Sequence, residues 1–219
     1  ACRSRLPAAP HPRCSRCHLP LATGRAADPA AASDGCRECR DWPPDVAALR
    51  WAWVMAPPAD ALVHALKYQG WSALAREMGL DMARALRSAP GPAPDLVTPV
   101  PTTEARRARR GYNQAALLAQ TVAEEVGRPL RDTLLRTRDG ATQVALPPSL
   151  RRANVKGAFV ASPLNDRVIR DRHVILVDDV LTTGATAAQA AGVLRAGGAA
   201  RVTVLTYARA LPGPGLPHG

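Results

Sequence analysis

The sequence is short of aromatics, lysine and long apolar runs. Aromatic residues make up 4% of its 219 residues, and only one is Phe. Any core is therefore expected to be aliphatic, and alanine inflates the 47% hydrophobic fraction. Nothing approaches the roughly eighteen consecutive apolar residues of a membrane-spanning helix. The first residue is Ala, and no charged, then apolar, then small pattern follows it, so no secretory signal is read. No Ser-His-Asp or Cys-His catalytic pairing is visible. Lys67 and Lys156 are the two lysines, against 27 arginines, a choice that fits a GC-rich coding bias.

The charge itself is strong whatever its codon origin. Lys and Arg number 29 against 18 Asp and Glu, a net +11. Such a chain attracts polyanions, either phosphorylated small molecules or nucleic acid. Between residues 100 and 160, eleven basic residues face five acidic ones. Only Tyr112 and Phe159 lie nearby for base stacking.

The cysteines are Cys2, Cys14, Cys17, Cys36 and Cys39. An odd count with two Cys-x-x-Cys pairs reads as metal binding, not as a disulfide framework. It favours a reducing, cytoplasmic setting. The pairs Cys14/Cys17 and Cys36/Cys39 are separated by 18 residues. That is zinc-ribbon spacing, in which four thiolates close a tetrahedral structural Zn²⁺ site. His18 reads as a bystander. Residues 1–43 are thus expected to form a small metal-stapled module, with Pro43-Pro44 as its linker.

From Val46 onwards strands and helices alternate, which predicts a parallel α/β domain over 44–210. Strands are expected at 48–55, 95–100, 173–177 and 201–207, with a shorter one at 132–136. Helices are expected at 59–69, 73–88, 113–126 and 185–196, with Gly127 closing the third. Residues 102–111 read as a very basic loop and 137–150 as a mobile one. The Pro/Gly-rich end, 211–219, is expected to be disordered.

One stretch carries chemistry. The run Val174-Ile-Leu-Val-Asp178-Asp179-Val-Leu-Thr182-Thr183-Gly184-Ala185-Thr186 reads as a buried strand ending in two acids, a hydroxyl-rich loop and a helix start. Backbone N–H groups at that helix start, with the Thr hydroxyls, make an anion pocket. Gly184 lets the backbone approach the anion. Asp178 and Asp179 accept from sugar hydroxyls or organise a divalent ion. A phosphate beside diol-binding acids describes a ribose 5-phosphate site at the carboxyl end of a strand.

This run resembles the signature of the type I phosphoribosyltransferases. The resemblance implies that Asp178 and Asp179 meet the ribose hydroxyls of phosphoribosyl pyrophosphate (PRPP). It implies that Thr182, Thr183, Gly184, Ala185 and Thr186 hold the 5-phosphate, with Mg²⁺ accompanying PRPP. Further motifs occur in order: Leu66-Lys67-Tyr68-Gln69-Gly70, Pro99-Val100-Pro101, Arg110-Gly111-Tyr112-Asn113-Gln114, Gln143-x-x-Leu146, Arg151-x-x-Asn154 and Gly157-Ala158-Phe159. With the front cysteines, they resemble the ComF family of competence-associated, phosphoribosyltransferase-like proteins.

That resemblance implies a zinc-ribbon module joined to a type I phosphoribosyltransferase domain, and an association with DNA uptake. It places Val100, Pro101, Lys67 and Arg110 against PRPP, and a pyrophosphate loop over 99–110. It makes 137–150 a lid lined by Arg136, Gln143, Arg151 and Asn154, with catalytic roles for Asp178, Asp179, Arg136 and Arg151. Cys2 looks like the remnant of a further cysteine pair. Rival readings are a non-catalytic PRPP-binding protein that engages single-stranded DNA or uptake proteins, and a zinc-ribbon adaptor with a relic transferase domain.

Overall fold

The computed structural model describes residues 3–21, 36–40, 42–89, 91–137, 157–162 and 165–211. Six strands are present among them: β1 (Ala48–Val54), β2 (Leu96–Pro99), β3 (Leu134–Arg136), β4 (Phe159–Ala161), β5 (His173–Leu181) and β6 (Arg201–Arg209). The helices are α1 (Arg37–Arg40), α2 (Ala59–Tyr68), α3 (Leu74–Arg87), α4 (Glu104–Arg110), α5 (Gln114–Val126), α6 (Asn165–Ile169) and α7 (Ala185–Ala196).

The main sheet has the order β1-β6-β5-β2, and every pairing in it is parallel. Parallel strands are covered on both faces, so their sequences are near-continuous apolar runs. In β5, Val174 and Leu176 face one layer, and Ile175 and Val177 face the other. The first layer holds Ala187, Ala190 and Leu194 of α7. The second holds Val63 and Leu66 of α2, Met78 and Met82 of α3, and Leu118 and Val122 of α5. Helices α3 and α5 approach closely at Gly79, where an added Cβ would lie 2.6 Å from Thr121 Cβ.

Each sheet edge is capped by irregular chain. On β1, Leu49 N–H donates to the Arg16 carbonyl and Val54 N–H to the Pro7 carbonyl, both at 2.8 Å. On β2, Val97 N–H donates to Pro129 O and its carbonyl accepts from Arg131 N–H. These contacts shield the edges from pairing with another chain. The segment around Cys14 and Cys17 is thus docked on the sheet. Its buried Cys14, Cys17, Leu19 and Cys39 share a continuous core with Leu49, Trp51 and α7.

Two sequence expectations are corrected. The basic stretch 102–111 is not a loop throughout: α4 spans Glu104–Arg110, with Thr103 Oγ1 accepting from Arg106 N–H and Gly111 ending it in the left-handed region. A cap and good helix formers outweigh the crowding of four arginines. Nor does the central strand end at Val177 or at its acids. It runs to Leu181, because Asp178, Val180 and Leu181 pair with Thr206, Ala208 and Arg209 of β6.

Antiparallel β3 and β4 form a separate ribbon. It brings Thr137 and Gly157 together: Thr137 N–H donates to Ala158 O at 3.0 Å and its hydroxyl to Gly157 O at 3.1 Å. The expected lid lies largely outside the described residues, as do Gln143, Arg151 and Asn154. Cys2 and the 212–219 tail also lie outside them.

Candidate phosphoribosyl site and metal centre

Strand alternation sends neighbouring side chains to opposite faces, so the acids of β5 look into different layers. Asp179 follows Ile175 and Val177 toward the helices α2, α3 and α5. It is 7% exposed, and its Oδ1 lies 3.0 Å from Lys67 Nζ of α2. A buried carboxylate needs such a partner. Burial alone would pull the Lys67 ammonium down. The charge and hydrogen bond of Asp179, and the charge of Asp178, outweigh it and hold Lys67 above its ordinary value.

Asp178 is half-buried, and its surroundings favour its protonated form. Burial and the neighbouring Asp179 push its carboxyl up to about 7, against the pull of Lys67 and Arg136. Its Oδ1 accepts from Asp179 N–H at 2.8 Å. A carboxyl perturbed in this way by burial and a like charge is a mark of functional sites.

Directly beyond lie Thr182 and Thr183, both exposed, then Gly184 and α7. Thr183 Oγ1 lies 3.5 Å from Ala185 N. No acidic residue occupies the first turn of α7, so its N–H dipoles face outwards uncountered. Gly184 sits at φ 77°, a conformation that favours glycine. The indole of Trp42 packs on it so closely that an added Cβ would overlap the ring.

The neighbouring strand end completes the frame. Val100 N–H donates to Val177 O at 2.8 Å, and Val100 O accepts from Asn113 Nδ2 at 3.1 Å. This puts Val100 and Pro101 beside the acid-bearing end of β5. Tyr112 donates its hydroxyl to Leu66 O at 2.7 Å, tying the start of α5 to the turn that carries Lys67. Arg110 lies 5.1 Å over the Tyr68 ring and donates to Gln114 Oε1 at 3.2 Å. Arg136 stacks 5.1 Å from Phe159 and acts on Asp178 through its charge.

The structure therefore brings together Lys67, Asp178, Asp179, the Thr182–Thr186 loop and Val100. Sequence reasoning missed Trp42 and the tether through Tyr112. The signal available for Trp42 was its rarity as an aromatic just after the second cysteine pair.

The cysteine sulphurs form one cluster. Cys14 and Cys39 Sγ are 3.7 Å apart, Cys17 and Cys36 Sγ 3.4 Å, and Cys36 and Cys39 Sγ 3.8 Å. All four lie within 4.8 Å of one another. These are not disulfide lengths. Tetrahedral Zn²⁺ with Zn–S of about 2.3 Å sets sulphurs roughly 3.8 Å apart, so this donor set fits the ion. Thiols this close cannot ionise independently: hydrogen bonds from the other cysteines push Cys14 down, and its proximity pushes Cys17 up. A bound cation would hold all of them as thiolates. His18 is not among the clustered ligands.

The metal-bearing segment is tied to the sheet through backbone carbonyls. Cys17 O accepts from Trp51 Nε1 at 3.0 Å and from Arg209 Nη1 at 2.7 Å. The Arg16 guanidinium donates to the carbonyls of Cys39, Trp42, Pro43 and Val46.

Comparison with known proteins fits this frame. The phosphoribosyl transferase domain family matches residues 110–214. With the parallel sheet and flanking helices, that makes the fold a type I phosphoribosyltransferase domain preceded by a clustered-cysteine segment. The chain is 36% identical over 203 residues to DNA utilization protein YhgH of Salmonella typhi, across 90% of this chain and 84% of that one. It is 35% identical over 158 residues to Competence protein F of Haemophilus influenzae, across 70% and 69%. The chain belongs to the ComF family. Among solved structures, the glutamine PRPP amidotransferase of B. subtilis aligns with 27% identity and a TM-score of 0.40, over 59% of this chain and 25% of that one. The chain thus spans about a quarter of that enzyme's length.

Proposed function

We propose that this protein is a Mg²⁺-dependent, PRPP-binding phosphoribosyltransferase associated with DNA uptake. The observation that carries the reading is the Lys67–Asp179 pair at 3.0 Å, set beside Asp178 and ahead of the Thr182–Thr186 loop. Phosphoribosyl transfer builds positive charge on the ribose and negative charge on the departing pyrophosphate. Such a reaction is served by fixed charges and dipoles. Asp178 and Asp179 would accept the ribose hydroxyls and lie on the side of the ring where cationic character grows. The α7 N-terminus and its threonines would hold the 5-phosphate. Val100, Pro101, Arg110 and the basic α4 would meet the pyrophosphate, with the charge of Arg136 acting on Asp178.

The residues fit an accompanying Mg²⁺: Asp178 lacks a cationic partner as close as the one Asp179 has. Bound Mg²⁺ would neutralise pyrophosphate charge. An Asp179→Asn variant is expected to weaken PRPP binding and slow pyrophosphate release about tenfold or more. Unchanged PRPP affinity would count against the site.

A second reading keeps the pocket but makes the protein a PRPP-binding partner of single-stranded DNA or of uptake proteins. Tyr68, 62% exposed, has Arg110 of α4 over its ring, and Trp71, three residues on, is 59% exposed. Aromatics beside cations suit sequence-tolerant stacking of bases. The relatives carry names of DNA utilization and competence. Salt-dependent binding to an oligothymidine, lost in Tyr68→Ala and without pyrophosphate release from PRPP, would favour this reading.

A further inference from the structure

A cavity of about 350 Å³ opens at the other end of the sheet. It lies where the early residues of β1, β5 and β6 meet the ends of α3 and α5. His173 lines it, six residues before Asp179 on the same strand. At roughly 3.3 Å per residue, the cavity stands about 20 Å from the acid pair.

Its wall is basic. Arg50, Arg87, Arg128 and Arg201 line it with His173, and Glu125 is the one carboxylate of the lining. Glu125 is already 3.4 Å from Arg87. Arg50 is 5% exposed and donates to the carbonyls of Leu49 and Arg16. Burial and the neighbouring charge of Arg201 hold the Arg50 guanidinium below its ordinary value. The Arg201 Nε is buried without an acceptor among the described residues. Its ring neighbour His173 is already engaged, with Nε2 2.8 Å from Thr203 Oγ1 and Nδ1 3.2 Å from Ala93 O.

Leaving a buried charged donor unpaired beside a second guanidinium is costly. An anion between the arginines removes both penalties. The lining also holds the aliphatic Leu86, Pro94 and Val126. The occupant therefore has an anionic end and an apolar body. The volume sits at the small end of the roughly 300–1,000 Å³ range of ligand pockets.

We propose that this cavity binds a phosphorylated small molecule of nucleoside monophosphate size, its phosphate on Arg201 and Arg128 and its body against Leu86 and Val126. The proposal does not depend on the transferase reading, because the site lies at the opposite sheet end.

The test is calorimetric titration of the full chain with 5′-AMP and, separately, inorganic phosphate. A saturable 5′-AMP step is expected, weakened about tenfold or more in Arg201→Gln and several-fold in Arg128→Gln. It is expected to persist in Thr183→Val. Any 5′-AMP that enters the phosphate loop instead shows as a separate step lost only in Thr183→Val. Inorganic phosphate is expected to bind at least about tenfold more weakly, lacking the apolar contact. If Arg201→Gln fails to fold by circular dichroism, the exposed Arg128→Gln decides alone. The proposal is overturned if no 5′-AMP step appears or if binding survives the arginine variants. Inorganic phosphate binding as tightly as 5′-AMP would overturn it too.

Discussion

The indole of Trp42 rests on Gly184, joining the end of the cysteine segment to the loop that precedes α7. Gly184 needs to be glycine twice over: its φ is 77°, and a Cβ would overlap the ring. Gly184→Ala is therefore expected to destabilise the fold by about 1–3 kcal/mol and to weaken PRPP binding. Adding Trp42→Ala removes the overlap but not the backbone strain. The double variant should recover part of the loss in thermal unfolding. Additive losses would mean that the two residues do not communicate.

Lys67 is the cationic partner of a buried acid. Lys67→Met leaves Asp179 without it, and a loss of about 1–3 kcal/mol in chemical denaturation is expected. PRPP affinity should fall as well. A variant as stable and as avid as the parent would remove Lys67 from the site.

Asp178 gives a pH dependence with a definite sign. Its folded-state carboxyl is raised to about 7, above the unfolded value of 3.8. The folded state thus holds a proton that the unfolded state has already lost. The stability from this group is full below about pH 4 and disappears as pH rises to 7. Asp178→Asn should accordingly match the parent near pH 4 and exceed it at pH 8, on the order of 2 kcal/mol. Urea denaturation at the two pH values checks this, and a pH-independent difference would contradict it.

The four clustered thiols should hold one zinc ion per chain, measured by elemental analysis. Cys17 also presents its carbonyl to Trp51 and Arg209, so loss of the metal should loosen the edge at β1. Chelation or Cys17→Ser is expected to lower the melting temperature by several degrees. An unshifted transition after complete zinc removal would show that the segment is held by its packing alone.

Much of this was legible in local sequence. The apolar run at His173–Val177 announces a doubly covered strand, and the leucine and valine spacing of α5 announces its buried face. The two Cys-x-x-Cys pairs fix their own geometry through ligand spacing. The acid pair and the threonine loop are contiguous, so their chemistry could be read without a fold. Other features depend on distant partners. The strand continues to Leu181 only because β6 lies alongside it. Lys67 meets Asp179 only once α2 packs on the sheet. Helix α4 was obscured by its charge, which reads as an exposed loop although Thr103 supplies a cap. Nothing in the cysteine spacing shows that its segment would seal the β1 edge or touch Gly184.

The most direct test is a calorimetric titration of the full chain with PRPP, with and without Mg²⁺. The account predicts saturable, magnesium-dependent binding that is weakened in Asp179→Asn and Lys67→Met. Absence of binding under both conditions would contradict it and leave the transferase domain as a scaffold.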